Sequence, residues 1–341
     1  MSGVGASGDL HDRSTVGVTH LSHHSLACEN ISMSGRSKIH VISSLDGTEQ
    51  PSYLSLPAGF VEEGDPLPLV VSLHPWSSDL ESRDEDLERL VEEKRWLYLC
   101  PNFRGRNDQI DALGSELARQ DILDAVEWVS ERYPVDPRRI FLTGGSGGGH
   151  MTMLMVARHP GGWTAASAWV GISNLTSWHA RHVDGKYGKM MRSALGGAPE
   201  DSEEIAARYL DRSPLTHLAN AKDVALDIAA GIHDGHTGSV PVRHSLDAFN
   251  VIAQARGDAT IRETEIEQLS QPDGRLASPS ATDTVSDASL GREIYLRRTN
   301  DRTRVTIFEG GHEGIAEATI DWFEQHARGT FQQGITSQND R

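Results

Sequence analysis

Residues 139–160, RIFLTGGSGGGHMTMLMVARHP, place the tightest constraint on how this chain folds. A short apolar run, Ile140 to Thr143, leads into glycines at 144, 145, 147, 148 and 149 that surround a lone Ser146. From Met151 onward the residues are apolar nearly all round a helical wheel. That order reads as a strand, a turn too tight for side chains, and a buried helix. A flexible linker does not sit between two apolar elements. A phosphate loop needs Lys-Ser or Lys-Thr after its glycines, where this chain has His150 and Met151.

The same alternation runs along most of the chain. Strands are expected at 37–44, 51–57, 67–74, 96–102, 139–144, 164–171, 224–231 and 304–310, and helices at 83–94, 117–134, 148–160, 244–256 and 314–327. Continuous apolar strands alternating with helices predict an α/β fold, a mostly parallel sheet with helices on both faces. The first two strands flank the turn signal LDGT and form an antiparallel N-terminal edge. No internal repeat is visible, which excludes propellers and solenoids. One domain is expected over 36–330, between a poorly ordered arm (1–35) and a tail (331–341). Two stretches break the alternation: 172–222, with room for a cap, and 257–292, a polar insertion expected to add little to the core.

The formal net charge of −17 disfavours nucleic acid and anionic membranes as partners. No stretch approaches the roughly eighteen apolar residues of a membrane helix, and the first twenty residues carry no signal-peptide pattern. Two cysteines, Cys28 and Cys100, with Cys28 in the arm, predict no structural disulfide and fit a reducing, cytoplasmic setting. His11, His20, His23 and His24 do not have metal-site spacing, and no cofactor or metal is expected. Homo-oligomerisation is left open.

Residues 144–148 read G-G-S-G-G, the G-x-S-x-G pattern that lifts a serine hydroxyl clear of a sheet edge between strand and helix. A nucleophilic serine needs a base, and the base needs an orienting acid. Asp234 follows the strand at 224–231, and His312 follows the strand at 304–310, so acid and base both fall at carboxyl ends of parallel strands. The H-D-G-H run at 233–236 raises a metal site as an alternative, but no further ligand is placed to complete it. The amide of Gly147, at the new helix's N-terminus, is one candidate oxyanion donor. The loop HPWSSD supplies the second: Trp76 is preferred and Ser77 comes next, because Pro75 has no N–H. The Trp76 ring is expected to wall the pocket. Trp178, His179, Arg181, His182 and Arg192 are the remaining candidate substrate contacts.

LPLVVSLHPW, CPNFRG, DILDAVEWVSERYPVDPRRIFLTGGSGGGHMT, LDRSPL, GIHDGHTGSVPVRHSLDAF and EGGHEG together resemble the catalytic domain of prolyl-oligopeptidase-type serine hydrolases, a branch of the α/β-hydrolase superfamily. The resemblance covers about 65–328 and implies an eight-stranded α/β-hydrolase fold with Ser146 as nucleophile, Asp234 as acid and His312 as base. Two departures stand out. The oxyanion loop reads H-P-W where relatives often have H-G-G. Asp234 and His312 lie farther apart in sequence than is usual, and the excess maps to 257–292. Family peptidases also usually carry an N-terminal β-propeller that filters peptides, for which the residues before the domain leave no room. On that ground, and because no acidic pair is evident for gripping a peptide amino terminus, a carboxylic-ester hydrolase, acting on a small or carbohydrate-borne ester, is the preferred reading. A peptidase acting on short peptides is the alternative, and a catalytically inactive binding protein of the same fold is the third.

Overall fold

The computed structural model describes residues 35–328. The arm, with Cys28 and its histidines, and the tail lie outside the described residues. In chain order the elements are β1 (Gly35–Ile42), β2 (Glu49–Leu56), β3 (Leu67–Leu73), α1 (Glu85–Glu93), β4 (Leu97–Pro101), α2 (Glu116–Arg132), β5 (Val135–Gly145), α3 (Gly147–Arg158), β6 (Ala165–Trp169), α4 (Leu175–His182), α5 (Lys186–Leu195), α6 (Glu203–Asp211), β7 (Ala225–Gly231), α7 (Arg243–Arg256), α8 (Glu263–Leu269), β8 (Ile294–Thr299), β9 (Thr303–Phe308) and α9 (Ala316–Arg328). The sheet order is β1-β2-β4-β3-β5-β6-β7-β9-β8. Six parallel neighbours, from β4 to β9, are flanked by the antiparallel β1–β2 pair and by antiparallel β8.

Register decides which residues share a face. Val70 pairs with Tyr98 and Phe141, Phe141 with Ala165, and Ala165 with Ala225. These residues form one core cluster with Leu87 and Val91 of α1 and Ile320 and Phe323 of α9. The rings of Phe141 and Phe323 stack at 4.7 Å. The strand residues between them, such as Val71, Leu99 and Leu142, are equally buried and face the other way. This is why β3, β4, β6 and β7 read as continuous apolar runs.

The sheet has nine strands where eight were expected. The extra one, β8, was hidden by its arginines. Ile294 and Leu296 face inward, while Arg297 pairs with Asp287 at 2.8 Å and Arg298 with Glu265 at 3.0 Å and with the fully buried Asp283. These carboxylates belong to the 257–292 insertion, so the expectation that it adds little to the core is corrected. Ile261, Ile266, Leu269, Leu276 and Leu290 are all buried. Sparse apolar residues in a polar stretch give no periodicity, and their burial follows from packing around α8 rather than from pattern.

Residues 172–222 fold as α4, α5 and α6 around a second cluster that includes Ile172, Trp178, Met191, Leu195 and Tyr209. Two buried imidazoles fasten this segment to the sheet domain. His150 of α3 donates from Nε2 to the Arg212 carbonyl at 2.8 Å. His244 of α7 accepts at Nδ1 from the amides of Ser173 and Asn174, at 3.2 and 3.3 Å. Burial pushes His150 down to about 4 and His244 down to about 3, so both are neutral near pH 7. An unfolded histidine titrates near 6.5. Below that pH the unfolded chain takes up protons that the folded chain refuses, so stability is full above about pH 6.5 and falls as pH drops toward 4 and 3. We expect the melting temperature to decline over this window, and His244→Asn, which keeps an acceptor but cannot be protonated, to flatten the decline. Equal slopes for the two proteins in pH-dependent melts would refute this role of His244.

Candidate active site

Ser146 sits between the end of β5 and the start of α3 with φ +58° and ψ −114°, a left-handed conformation that a side chain rarely adopts. Its amide donates to the Trp169 carbonyl at 2.9 Å, and its carbonyl accepts from His150 N at 2.9 Å. The flanking glycines answer to close backbone approach. A Cβ on Gly148 would lie 2.1 Å from the Leu73 carbonyl oxygen, at the end of β3. A Cβ on Gly147 would lie 2.3 Å from the Trp76 amide nitrogen. The Gly147 and Trp76 amides therefore stand side by side, and neither donates a hydrogen bond to another group among the described residues.

The Trp76 loop is held from behind. His74 stacks on Phe103 at 3.9 Å, its Nε2 lies 2.9 Å from the Asn102 carbonyl, and Asn107 N donates to the Trp76 carbonyl at 3.1 Å. Asp234 is buried three residues past β7. Its Oδ1 accepts from the amides of Gly235 at 2.9 Å and Val240 at 3.0 Å, and its Oδ2 lies 2.7 Å from His312 Nδ1. His312 and Ser146 line one cavity of about 710 Å³, together with Trp169, Tyr187 and Ile315. Cys100 lines it too, but burial pushes its thiol up to about 12, so it is no thiolate nucleophile near neutral pH.

The candidate substrate contacts are mostly not brought to this cavity. Trp76 lines it, but its indole is buried, edge to face with Trp178 at 4.6 Å, so the ring is core rather than a pocket wall. Trp178 is fully buried, and its Nε1 donates to the Ser239 carbonyl at 2.9 Å. His182 Nε2 donates to that carbonyl at 2.8 Å, and Arg181 donates to the Gly235 carbonyl. His179 is buried beside Tyr209, with Arg192 Nη1 3.2 Å from its Nε2. Trp178, Arg181 and His182 brace the cap against the loop that carries Asp234, while His179 and Arg192 lie within the cap. The cap aromatic that does reach the cavity is Tyr187, packed on Trp178 at 4.9 Å. Its sequence position on α5 carries no distinguishing signal. The 257–292 insertion contributes no residue to the cavity lining. Among the described residues no group of three His, Cys, Asp or Glu side chains is arranged to hold a metal, and no helix is long and apolar enough to cross a membrane.

Residues 97–265, which contain Ser146 and Asp234, match the family model of the prolyl oligopeptidase family. Over those residues the chain belongs to that family, and its sheet has the α/β-hydrolase fold. Dipeptidyl aminopeptidase BIII of Pseudoxanthomonas mexicana is 26% identical over 208 residues, 57% of this chain and 30% of that protein. The acylamino-acid-releasing enzyme of Arabidopsis thaliana is 29% identical over 144 residues, 38% of this chain and 18% of that protein. The chain thus spans less than a third of the length of either relative. The acylaminoacyl peptidase structure from Pyrococcus horikoshii superposes with a TM-score of 0.59 at 17% identity, over 91% of this chain and 44% of that one.

Contact between Gly147 and Trp76 makes a sharp prediction for this prolyl oligopeptidase-family chain. Gly147→Ala forces the two amides apart and should lower kcat by about 10²-fold or more with little change in KM. Near-wild-type kcat in a folded Gly147→Ala variant would show that the pairing of these amides does not matter.

Proposed function

We propose that the chain is a serine peptidase that cleaves short peptides through an acyl-enzyme, with Ser146 as nucleophile, His312 as general base and Asp234 as orienting acid. The observation that carries this is the 2.7 Å His312–Asp234 hydrogen bond at the rim of the cavity into which the Ser146 turn opens. With Nδ1–H given to the buried carboxylate, His312 keeps its lone pair on Nε2. Ser146 Oγ loses its proton to that nitrogen as it attacks the scissile carbonyl carbon. The oxygen that gains charge is met by the amides of Gly147 and Trp76. Collapse of this intermediate breaks the C–N bond, and the leaving amine takes the proton from His312. Water then repeats the sequence on the acyl-serine and restores the free enzyme. A carboxylate that already holds two backbone N–H bonds is fixed before substrate arrives, so little reorganisation accompanies the charging of His312.

A peptide bond is favoured over an ester because one relative above is named a dipeptidyl aminopeptidase and the other an acylamino-acid-releasing enzyme, and the cavity volume suits a short segment of chain. The sequence-based preference for an ester, which rests on the missing propeller and the lack of an acidic pair, gives way to this reading. Turnover of matched aminoacyl p-nitroanilides and p-nitrophenyl esters tests the choice. The peptidase reading expects clear anilide turnover, and ester cleavage with no detectable anilide cleavage sinks it. Ser146→Ala should abolish labelling by a fluorophosphonate and lower kcat by about 10⁴-fold or more. Labelling that persists in Ser146→Ala would remove the nucleophile assignment.

A further inference from the structure

The acid and base loops meet a second time, through residues that this mechanism does not use. The histidine just before Asp234 and the carboxylate three residues before His312 form their own pair: His233 Nε2 lies 2.9 Å from Glu309 Oε1. The pair runs opposite to the first, with the histidine now on the acid loop and the carboxylate on the base loop. Glu309 is gripped on its other oxygen by the Tyr295 hydroxyl at 2.7 Å, with Arg275 Nη2 at 3.6 Å. Arg275 also lies over the Tyr295 ring at 3.6 Å. On the far side, His233 Nδ1 lies 3.4 Å from Asp273 Oδ1. Hydrogen bonds from Tyr295 and His233 hold the Glu309 carboxyl below its ordinary range, as expected for a carboxylate kept charged by its partners.

We propose that His233 and Glu309 are positioning residues that fix the His312 loop relative to Asp234, and that the insertion braces this clip through Asp273 and Arg275. The inference rests on the Ser146–Asp234–His312 reading above. Residues 309–315 belong to no helix or strand, so nothing regular locates His312. Asp234 is located by amides of its own loop, Gly235 and Val240, which say nothing about where the base loop lies. Besides the catalytic hydrogen bond, the ties between the loops are His233 N to the Gly310 carbonyl at 3.0 Å, Ile232 N to the Phe308 carbonyl at 2.8 Å, and the His233–Glu309 pair. The backbone ties anchor the root of the base loop. His233, next to Asp234, thus holds the start of the segment that carries His312 twice, by its amide on the Gly310 carbonyl and by its ring on Glu309, and the ring contact is the one that the side chain sets. The insertion, absent from the cavity wall, thereby acts on the site from behind.

A double-mutant cycle tests the proposal. His233→Leu and Glu309→Gln should each lower kcat by about tenfold, with KM and melting temperature nearly unchanged, because the base is misplaced while the cavity is intact. The double variant should be no slower than the slower single, since the two residues act as one unit. His233→Gln, which restores a donor toward Glu309, should recover part of the loss. Kcat within twofold of wild type in both singles, multiplicative losses in the double, or losses confined to KM would each overturn the proposal. If His233→Leu does not fold, Glu309→Gln against His233→Gln carries the same comparison. Fluorophosphonate labelling separates this from the parent reading. A wild-type enzyme that the probe leaves unlabelled at Ser146 discards the triad itself, whereas slower labelling of the clip variants beside a labelled wild type supports the clip.

Discussion

The approach of the Ser146 turn to the end of β3 is the constraint on which the site depends. Ser146 can hold a positive φ only because its neighbours have no side chains to collide with β3 and the Trp76 loop. The same closeness lays the Gly147 amide beside that of Trp76. One steric condition thus sets the exposure of Ser146, the proposed nucleophile, and pairs the two amides proposed to receive charge. It also explains why this loop works with H-P-W. Pro75 donates nothing, but the Trp76 amide takes the place beside Gly147, and the indole beyond it is locked into the cap's core. The backbone of Trp76 is proposed to serve the chemistry, while its ring serves packing.

That division recurs across the cap. Trp178, His182 and Arg181 are the sort of side chains that bind substrates when they are exposed, yet here they reach toward carbonyls of the loop that carries Asp234. His150 and His244 join the cap to α3 and α7 as neutral groups, His150 as a donor and His244 as an acceptor. A buried polar group without a partner is costly, and each of these side chains has found at least one carbonyl or amide partner from another segment. The cap is therefore fixed by directional bonds as well as by its apolar cluster, which lets Tyr187 stand at a defined place on the cavity wall.

Much of the sheet was legible because burial on both faces writes itself as continuous apolar sequence, as in LVV of β3 and IAA of β7. The Ser146 turn was legible because glycine has no substitute where backbones nearly touch. The substrate contacts were not, because aromatic and basic residues on amphipathic helices look the same whether they face a cavity or a carbonyl. Tyr187 and Trp178 lie nine positions apart on neighbouring helices, and only tertiary packing decides that the first is at the cavity and the second is core. β8 failed for a related reason. Its arginines read as surface until the acids of the insertion, distant in sequence, are found against them.

The placement of the insertion shows how the chain accommodates 78 positions between Asp234 and His312. β7 and β9 are parallel neighbours, and Gly231 pairs with Phe308 at their ends. The loops of Asp234 and His312 therefore leave the sheet level with each other whatever lies between the strands in sequence. The intervening chain travels outward through α7 and α8 to β8, which closes the edge beyond β9. Lengthening such an excursion costs little loop entropy. Its carboxylates meet arginines of the strand it ends on, so added length becomes added structure. A long insertion there leaves the two strand ends undisturbed, and its Asp273 and Arg275 return to within reach of the loops those ends support.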